Sequence, residues 1–230
     1  MKLSAALFDL DDTLYREMDY VSSGFRAAAR FLRSKYGFNE EIVFNKTMDI
    51  LNSFGRGNVF NKLLEELGIF DEEILRYLIY IYRTHRPAIH VFGDVLPVLE
   101  SLRDSGIKTG LITNGMAIVQ QNKVAALGIA RLFDVIIYPD AIGPEYWKPS
   151  PVPFKMALNV LGVPAVASVY VGDNPSRDFL VPNALGMKSV QIKRETCIVK
   201  ETPEGQGYAA QTIIGSLSEY FGSEYFRVAT

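Results

Sequence analysis

Asp9 and Asp11 stand two positions apart, directly after the short apolar run Leu3-Ser4-Ala5-Ala6-Leu7-Phe8. On an extended chain, carboxylates at i and i+2 point to the same side. Like charges held that close repel unless a cation or a proton intervenes. The pair therefore calls for a bound metal, a shared proton, or both. A helix N-cap or Asx-turn would explain an isolated D-x-D just as well, so the reading turns on what else the chain supplies.

Three further groups bear on it. Thr113-Asn114-Gly115 brings a hydroxyl, an amide and a glycine to the start of a helical stretch, the makings of an anion cradle. Trp147-Lys148-Pro149-Ser150-Pro151 holds a lysine in a backbone that its prolines restrict, which fixes where Lys148 points. Gly172-Asp173-Asn174-Pro175-Ser176-Arg177-Asp178 is a second acidic loop. Singly, each passes as a helix cap or a solvated lysine. Together they supply paired carboxylates, a phosphate cradle, a cation and more hard oxygen ligands. That inventory suits Mg²⁺-assisted phosphoryl transfer.

Each group falls at the end of a predicted strand or in a loop beside one. Short apolar runs at 3–8, 108–113, 135–138, 168–171 and 188–192 read as buried strands. Helical patterns lie between them at 94–105, 117–127 and 151–161, stopped by Gly106, Gly128 and Gly162. This alternation predicts an α/β fold with a doubly wound parallel sheet. Ligands bind such sheets beyond the carboxyl ends of the strands. Residues 16–87 break the rhythm with helical stretches at 20–36, 40–51, 59–67 and 72–84, read as a small all-helical insert. In the tail, 212–214 reads as a short last strand and 216–221 as a closing helix.

Composition narrows the function further. Of 230 residues, 24 are Lys or Arg and 26 are Asp or Glu, a net charge of −2 that steers the chain towards neither nucleic acid nor an anionic membrane. The single cysteine, Cys197, excludes an intramolecular disulfide and a cysteine zinc cluster. The histidines are His85 and His90 alone. The longest uncharged stretch, 156–172, contains Asn159, Gly162, Pro164 and Ser168 and reads as helix, turn and strand, not as a membrane span. With no targeting segment visible, a cytoplasmic protein is expected.

Taken together, Asp9-Leu10-Asp11-Asp12-Thr13, Thr113-Asn114-Gly115, Lys148 and the 172–178 loop resemble, in order, the four motifs of the haloacid dehalogenase (HAD) superfamily, specifically its aspartate-nucleophile phosphatases. The resemblance spans residues 3–192. It implies a Rossmann-like catalytic core at 1–15 and 88–230, with a helical cap domain at 16–87. It implies Asp9 as nucleophile, Asp11 as general acid and then base, and Lys148 as the charge-neutralising group. Thr113, Asn114 and Gly115 would hold the phosphoryl oxygens. Mg²⁺ would be held by the carboxylates of Asp9 and Asp173 and the main-chain carbonyl of Asp11, with Asp178 as a further metal-site residue, bound directly, holding a metal-bound water, or orienting Lys148.

An acid at position 11 favours phosphate ester hydrolysis over carbon–halogen cleavage, because a halide leaves without a proton. To act as an acid at neutral pH, Asp11 is expected to have a shifted pKa. A sugar phosphomutase, a dehalogenase or phosphonatase, and a non-catalytic phosphate-ligand sensor are the alternatives. Arg56, flanked by Gly55 and Gly57 between two predicted helices, is a candidate substrate contact or a solvated turn residue. Tyr15, Tyr20 and Phe25 are read first as packing residues. The expected partner is a small phosphate ester, and the expected assembly a monomer or homodimer.

Overall fold

The computed structural model describes residues 2–197, 201 and 203–222. The last eight positions of the range expected for the core, 223–230, lie outside the described residues. In chain order the elements are β1 (Ala5–Phe8), α1 (Glu17–Tyr36), α2 (Glu40–Phe54), α3 (Val59–Glu66), α4 (Glu72–Thr84), α5 (Val95–Asp104), β2 (Lys108–Ile112), α6 (Ala117–Leu127), β3 (Val135–Ile137) and α7 (Val152–Leu161). They continue with β4 (Ser168–Gly172), α8 (Pro175–Asp178), α9 (Leu180–Leu185), β5 (Lys188–Ile192), β6 (Thr212–Ile214) and α10 (Leu217–Phe221). The chain divides into two compact units, Met1–Glu17 with His90–Thr230, and Met18–Ile89. Among the described residues, no helix is long and apolar enough to cross a membrane.

In the first unit the strands form one six-stranded sheet in the order β3-β2-β1-β4-β5-β6. Every pairing is parallel. This is the doubly wound α/β sheet that strand–helix alternation predicts. All four residues of β1 are buried, as a central strand requires. Successive strand side chains face opposite ways. Ala5 and Leu7 pack with Phe154, Ala157 and Leu158 of α7, whereas the ring of Phe8 meets Phe221 of α10 at 5.9 Å between centroids. Helices therefore cover both faces. The winding reverses at β1, which leads first to β2 and β3 and then, on its other side, to β4. The crevice beyond the ends of β1 and β4 is the switch point where such sheets bind ligands.

The second unit holds α2, α3, α4 and most of α1. Its core contains Phe25 and Leu32 from α1, Ile50 from α2, Leu63 and Leu64 from α3, and Leu78 from α4. The caps follow from sequence. Asn39 accepts from the amide of Ile42 at the start of α2, and Asp71 accepts from the amides of Glu73 and Ile74 at the start of α4.

Candidate active site

β1 delivers Asp9 at its carboxyl end. The Asp9 amide donates to the carbonyl of Val171 at 2.9 Å, which continues the β1–β4 ladder by one residue and sets Asp9 beside the end of β4. The chain then turns at Asp12, whose φ of 56° is left-handed. The Asp12 carboxylate accepts from the amide of Glu17 at 2.8 Å, so it closes the loop as a helix cap. A buried arginine holds the same loop from outside. Arg194 donates from Nε and Nη2 to the carbonyl of Thr13 at 3.2 and 3.0 Å, and from Nη1 to both oxygens of Asp94.

Lys148 occupies the centre. Its ammonium donates to Asp9 Oδ1 at 2.6 Å, to Asp178 Oδ1 at 2.7 Å and to the Tyr170 hydroxyl at 2.8 Å. An ammonium has three protons and here meets three acceptors, which is how a lysine side chain only 2% exposed is accommodated. Burial works against its charge, but Asp178 and Asp9 outweigh that and raise its pKa above the ordinary lysine value. Asn114 places the lysine. Its side chain donates to the Lys148 carbonyl at 3.0 Å and accepts from the Lys148 amide at 2.9 Å. Asn114 thus has a structural task through its side chain, separate from any its amide has as part of the expected cradle.

Asp178 is fixed from both ends. Its Oδ1 faces Lys148, and its Oδ2 accepts from the amide of Asn174 at 2.9 Å. Asn174 caps α8 through the amide of Ser176, and Pro175 opens that helix. This single turn brings Asp178 back over Gly172. A Cβ on Gly172 would lie 2.5 Å from Asp178 Oδ2, so the residue before Asp173 must be bare for the carboxylate to sit there.

Asp9, Asp173 and Asp178 are all buried, and each offers a carboxylate oxygen within 4.8 Å of the others'. Three buried carboxylates gathered this closely form a set of hard oxygen donors, and that set fits a divalent cation such as Mg²⁺. The protein side chains alone already strain this arrangement. Burial raises the Asp9 carboxyl; Lys148 pulls it down and the charges of Asp178 and Asp11 push it up, to about 7.

Asp11 lies in a different setting. Its Oδ1 accepts from Lys123 Nζ at 2.7 Å and from the Tyr15 hydroxyl. Its Oδ2 accepts from Gln120 Nε2 at 2.9 Å. Burial pushes this carboxyl up, but the charge of Lys123 and the hydrogen bonds from Lys123, Tyr15 and Gln120 outweigh it and hold it below the ordinary carboxylate range. This corrects the expectation of an Asp11 shifted to carry a proton at neutral pH. Here Asp9 is the raised carboxyl, chiefly through burial, and Asp11 the lowered one, because the buried Lys123 lies beside it.

Thr113 is buried at the end of β2, its hydroxyl accepting from Gln120 Nε2. Gly115 has φ 121°, and a Cβ there would meet the Gln120 side chain at 3.3 Å. The structure therefore brings Asp9, Asp11, Thr113, Asn114, Gly115, Lys148, Asp173 and Asp178 to one end of the sheet. Arg56 belongs to the helical unit. It is exposed and, with Arg83, Phe25, Phe60 and Tyr82, lines a cavity of about 310 Å³ within that unit. Tyr15, Tyr20 and Phe25 are buried, as packing residues should be. The sequence reading missed Gln120, Lys123, Tyr170 and Arg194. The first two stand three apart on α6, a spacing that puts them on one helix face, and that spacing was the available signal.

Residues 6–192 match the family model of the haloacid dehalogenase-like hydrolases. A protein of Methanopyrus kandleri named glyceraldehyde 3-phosphate phosphatase is 31% identical over 199 residues, covering 84% of this chain and 84% of that protein. A protein of Methanocaldococcus jannaschii with the same name is 31% identical over 219 residues, covering 92% of this chain and 94% of its own. The solved structure of a HAD phosphatase from Thermococcus onnurineus superposes with a TM-score of 0.59 at 26% identity, covering 96% of this chain and 98% of that one.

Proposed function

The chain belongs to the haloacid dehalogenase-like hydrolase family, and from that premise we propose that this phosphatase hydrolyses a small phosphorylated metabolite through an aspartyl-phosphate on Asp9. One observation carries the reading: Asp9, at the switch point of the sheet, shares a buried site with Lys148, Asp173 and Asp178.

In the first half-reaction an Asp9 carboxylate oxygen attacks phosphorus. The bond from phosphorus to the alcohol oxygen breaks, and Asp11 gives its proton to that oxygen. Lys148 offsets negative charge between Asp9 and the phosphoryl group. Thr113 and the backbone at Asn114 and Gly115 orient the phosphoryl oxygens. In the second half-reaction Asp11, now a carboxylate, takes a proton from the water that attacks phosphorus. Phosphate leaves, Asp9 is restored, and Asp11 again carries the proton that the next leaving alcohol needs. The donors around Asp11 favour the carboxylate with which the second half begins; they work against the proton it carries in the first, and make that protonated form a stronger acid towards the departing alkoxide. Mg²⁺, held by Asp9 and Asp173 with the Asp11 carbonyl, would supply positive charge to the phosphoryl oxygens and to Asp9. Asp178 serves that site by fixing Lys148.

The helical unit Met18–Ile89 is read as a substrate-selecting cap, with Arg56 as its candidate contact for a charged group on the substrate. The enzyme is read as cytoplasmic, acting on a dissolved ester. Support for a small ester comes from the relatives named for glyceraldehyde 3-phosphate. The test is a panel of phosphorylated metabolites with Mg²⁺, beginning with that compound. Phosphate release that disappears in Asp9→Asn supports the reading, and release that persists in that variant overturns it.

A further inference from the structure

α6 buries the wrong residues for an ordinary amphipathic helix. Its buried positions are Gln120, Lys123 and Val124, two of them polar. Lys123 is 4% exposed and Gln120 1%. Burying an ammonium and an amide is unfavourable unless both are satisfied, and here both donate to one carboxylate. Lys123 Nζ meets Asp11 Oδ1 at 2.7 Å and Gln120 Nε2 meets Asp11 Oδ2 at 2.9 Å. Each oxygen of Asp11 is thereby tied to α6. Gln120 also donates to the Thr113 hydroxyl, so one amide joins the first acidic loop to the end of β2. The helix itself is anchored, since Asp140 accepts from the amide of Ala117 at 2.8 Å.

We infer that Lys123 and Gln120 are positioning residues for proton transfer: they fix both oxygens of Asp11 in direction, so that the carboxyl can give a proton to the departing alcohol oxygen and later, as carboxylate, take one from water. The inference rests on the reading of Asp11 as the proton carrier. Neither residue touches the transferring phosphoryl group in this account. Lys123 acts through Asp11, so its effect depends on how much the leaving group needs a proton; Gln120 acts through Asp11 and also through Thr113, and the loss that passes through Thr113 is common to both esters. An alkyl alkoxide needs one to depart, whereas p-nitrophenolate does not.

The experiment compares kcat/KM for glycerol 3-phosphate and p-nitrophenyl phosphate, with Mg²⁺, in wild type, Asp11→Asn, Lys123→Met, Lys123→Arg and Gln120→Leu. This parameter stops at alcohol release, so hydrolysis of the phosphoenzyme does not enter it. Asp11→Asn is expected to lose roughly 10²-fold more on the alkyl ester than on the aryl ester, the scale of a general acid. Lys123→Met and Gln120→Leu are expected to show the same sign of split, at least about tenfold, with Lys123→Arg recovering part of it. The aryl ester also reports folding, and Gln120→Leu carries the test if Lys123→Met does not fold. Equal losses on both esters in the α6 variants, beside a clear split in Asp11→Asn, overturn the inference alone. Equal losses in Asp11→Asn overturn the reading of Asp11, and the inference with it.

Discussion

Lys148 Nζ lies 2.6 Å from Asp9 Oδ1, although 139 positions separate the two residues in the chain. The contact is buried, and the same ammonium holds Asp178 at 2.7 Å. Lys148 is therefore what allows two carboxylates to stand together out of water. Lys148→Met leaves both without that compensation. Removing one partner of a buried ion pair costs about 3–5 kcal/mol, so the metal-free variant should unfold at clearly lower urea. Its phosphatase activity should fall by at least about 10²-fold, the scale for losing one donor aimed at developing charge. Wild-type stability in this variant would contradict the compensating role.

Gly172 tests the same cluster without touching an ionisable group. Asp178 has little room to retreat from a Cβ at that position, being bonded to the Asn174 amide and to Lys148. Gly172→Ala should lower kcat by up to about 10²-fold, as a shift of about 1 Å in a reacting constellation does. Gly93→Ala is the control, since a Cβ there meets nothing within 4 Å. Equal activity in the two variants would show that Asp178 does not need its observed place.

Metal binding has a signature independent of turnover. A ligand that binds only the folded state at about 100 times its Kd stabilises by about 2.7 kcal/mol. Mg²⁺ should raise the Tm of the wild-type protein, and a chelator should reverse the gain. Asp173→Asn should abolish most of that response. A Tm indifferent to Mg²⁺ in the wild type, or an unchanged response in the variant, would contradict the assignment of the acidic cluster.

In the helical unit, His85 sets a pH dependence. Its Nδ1 donates to the Tyr82 carbonyl at 2.8 Å, and its Nε2 is buried without a partner among the described residues. Burial lowers its pKa below the ordinary 6.5; the Tyr82 carbonyl opposes the shift and the charge of Arg30 adds to it. The unfolded chain therefore takes up a proton first as pH falls. The stability this residue contributes is complete above 6.5 and is lost as pH drops through that value towards the folded-state pKa. Asp9, with its pKa raised to about 7, acts in the opposite direction over the same range. The difference between wild type and His85→Gln isolates the histidine. Between about pH 7.5 and 5.5 the wild type should lose more Tm than the variant. Parallel curves would show that His85 does not resist protonation.

The sheet-bearing unit was legible because parallel sheets write themselves in short apolar runs, and because their ligands gather at strand ends. The strand read at 188–192 is β5, Lys188–Ile192, and the helix read at 117–127 is α6, Ala117–Leu127. The limits of β1 and β4 moved by one or two residues, where pairing and not polarity decides the end. Lys148 could be singled out because prolines frame it. Lys123 offered only its spacing from Gln120, since a lysine on a helix is by default a solvated one, and its partner Asp11 is 112 positions away. The lowered pKa of Asp11 was hidden for the same reason. Tyr170 looked like part of a buried strand, which it is, and its hydroxyl becomes meaningful only beside Lys148 and Asp178. The helical turns after Asp173 could be given no bounds, because the single turn or two of α8 and α9 carries too little periodicity to register.

The most direct test of the account is to trap the phosphoryl group on the protein. Wild-type enzyme is mixed with Mg²⁺ and a radiolabelled phosphate ester, quenched in acid within the first turnover, and digested for peptide mapping. Acid-stable, hydroxylamine-sensitive label is expected on the peptide that contains Asp9, and no such label in Asp9→Asn. An enzyme that turns over without labelling that peptide, or an Asp9→Asn variant labelled as well as wild type, would contradict it.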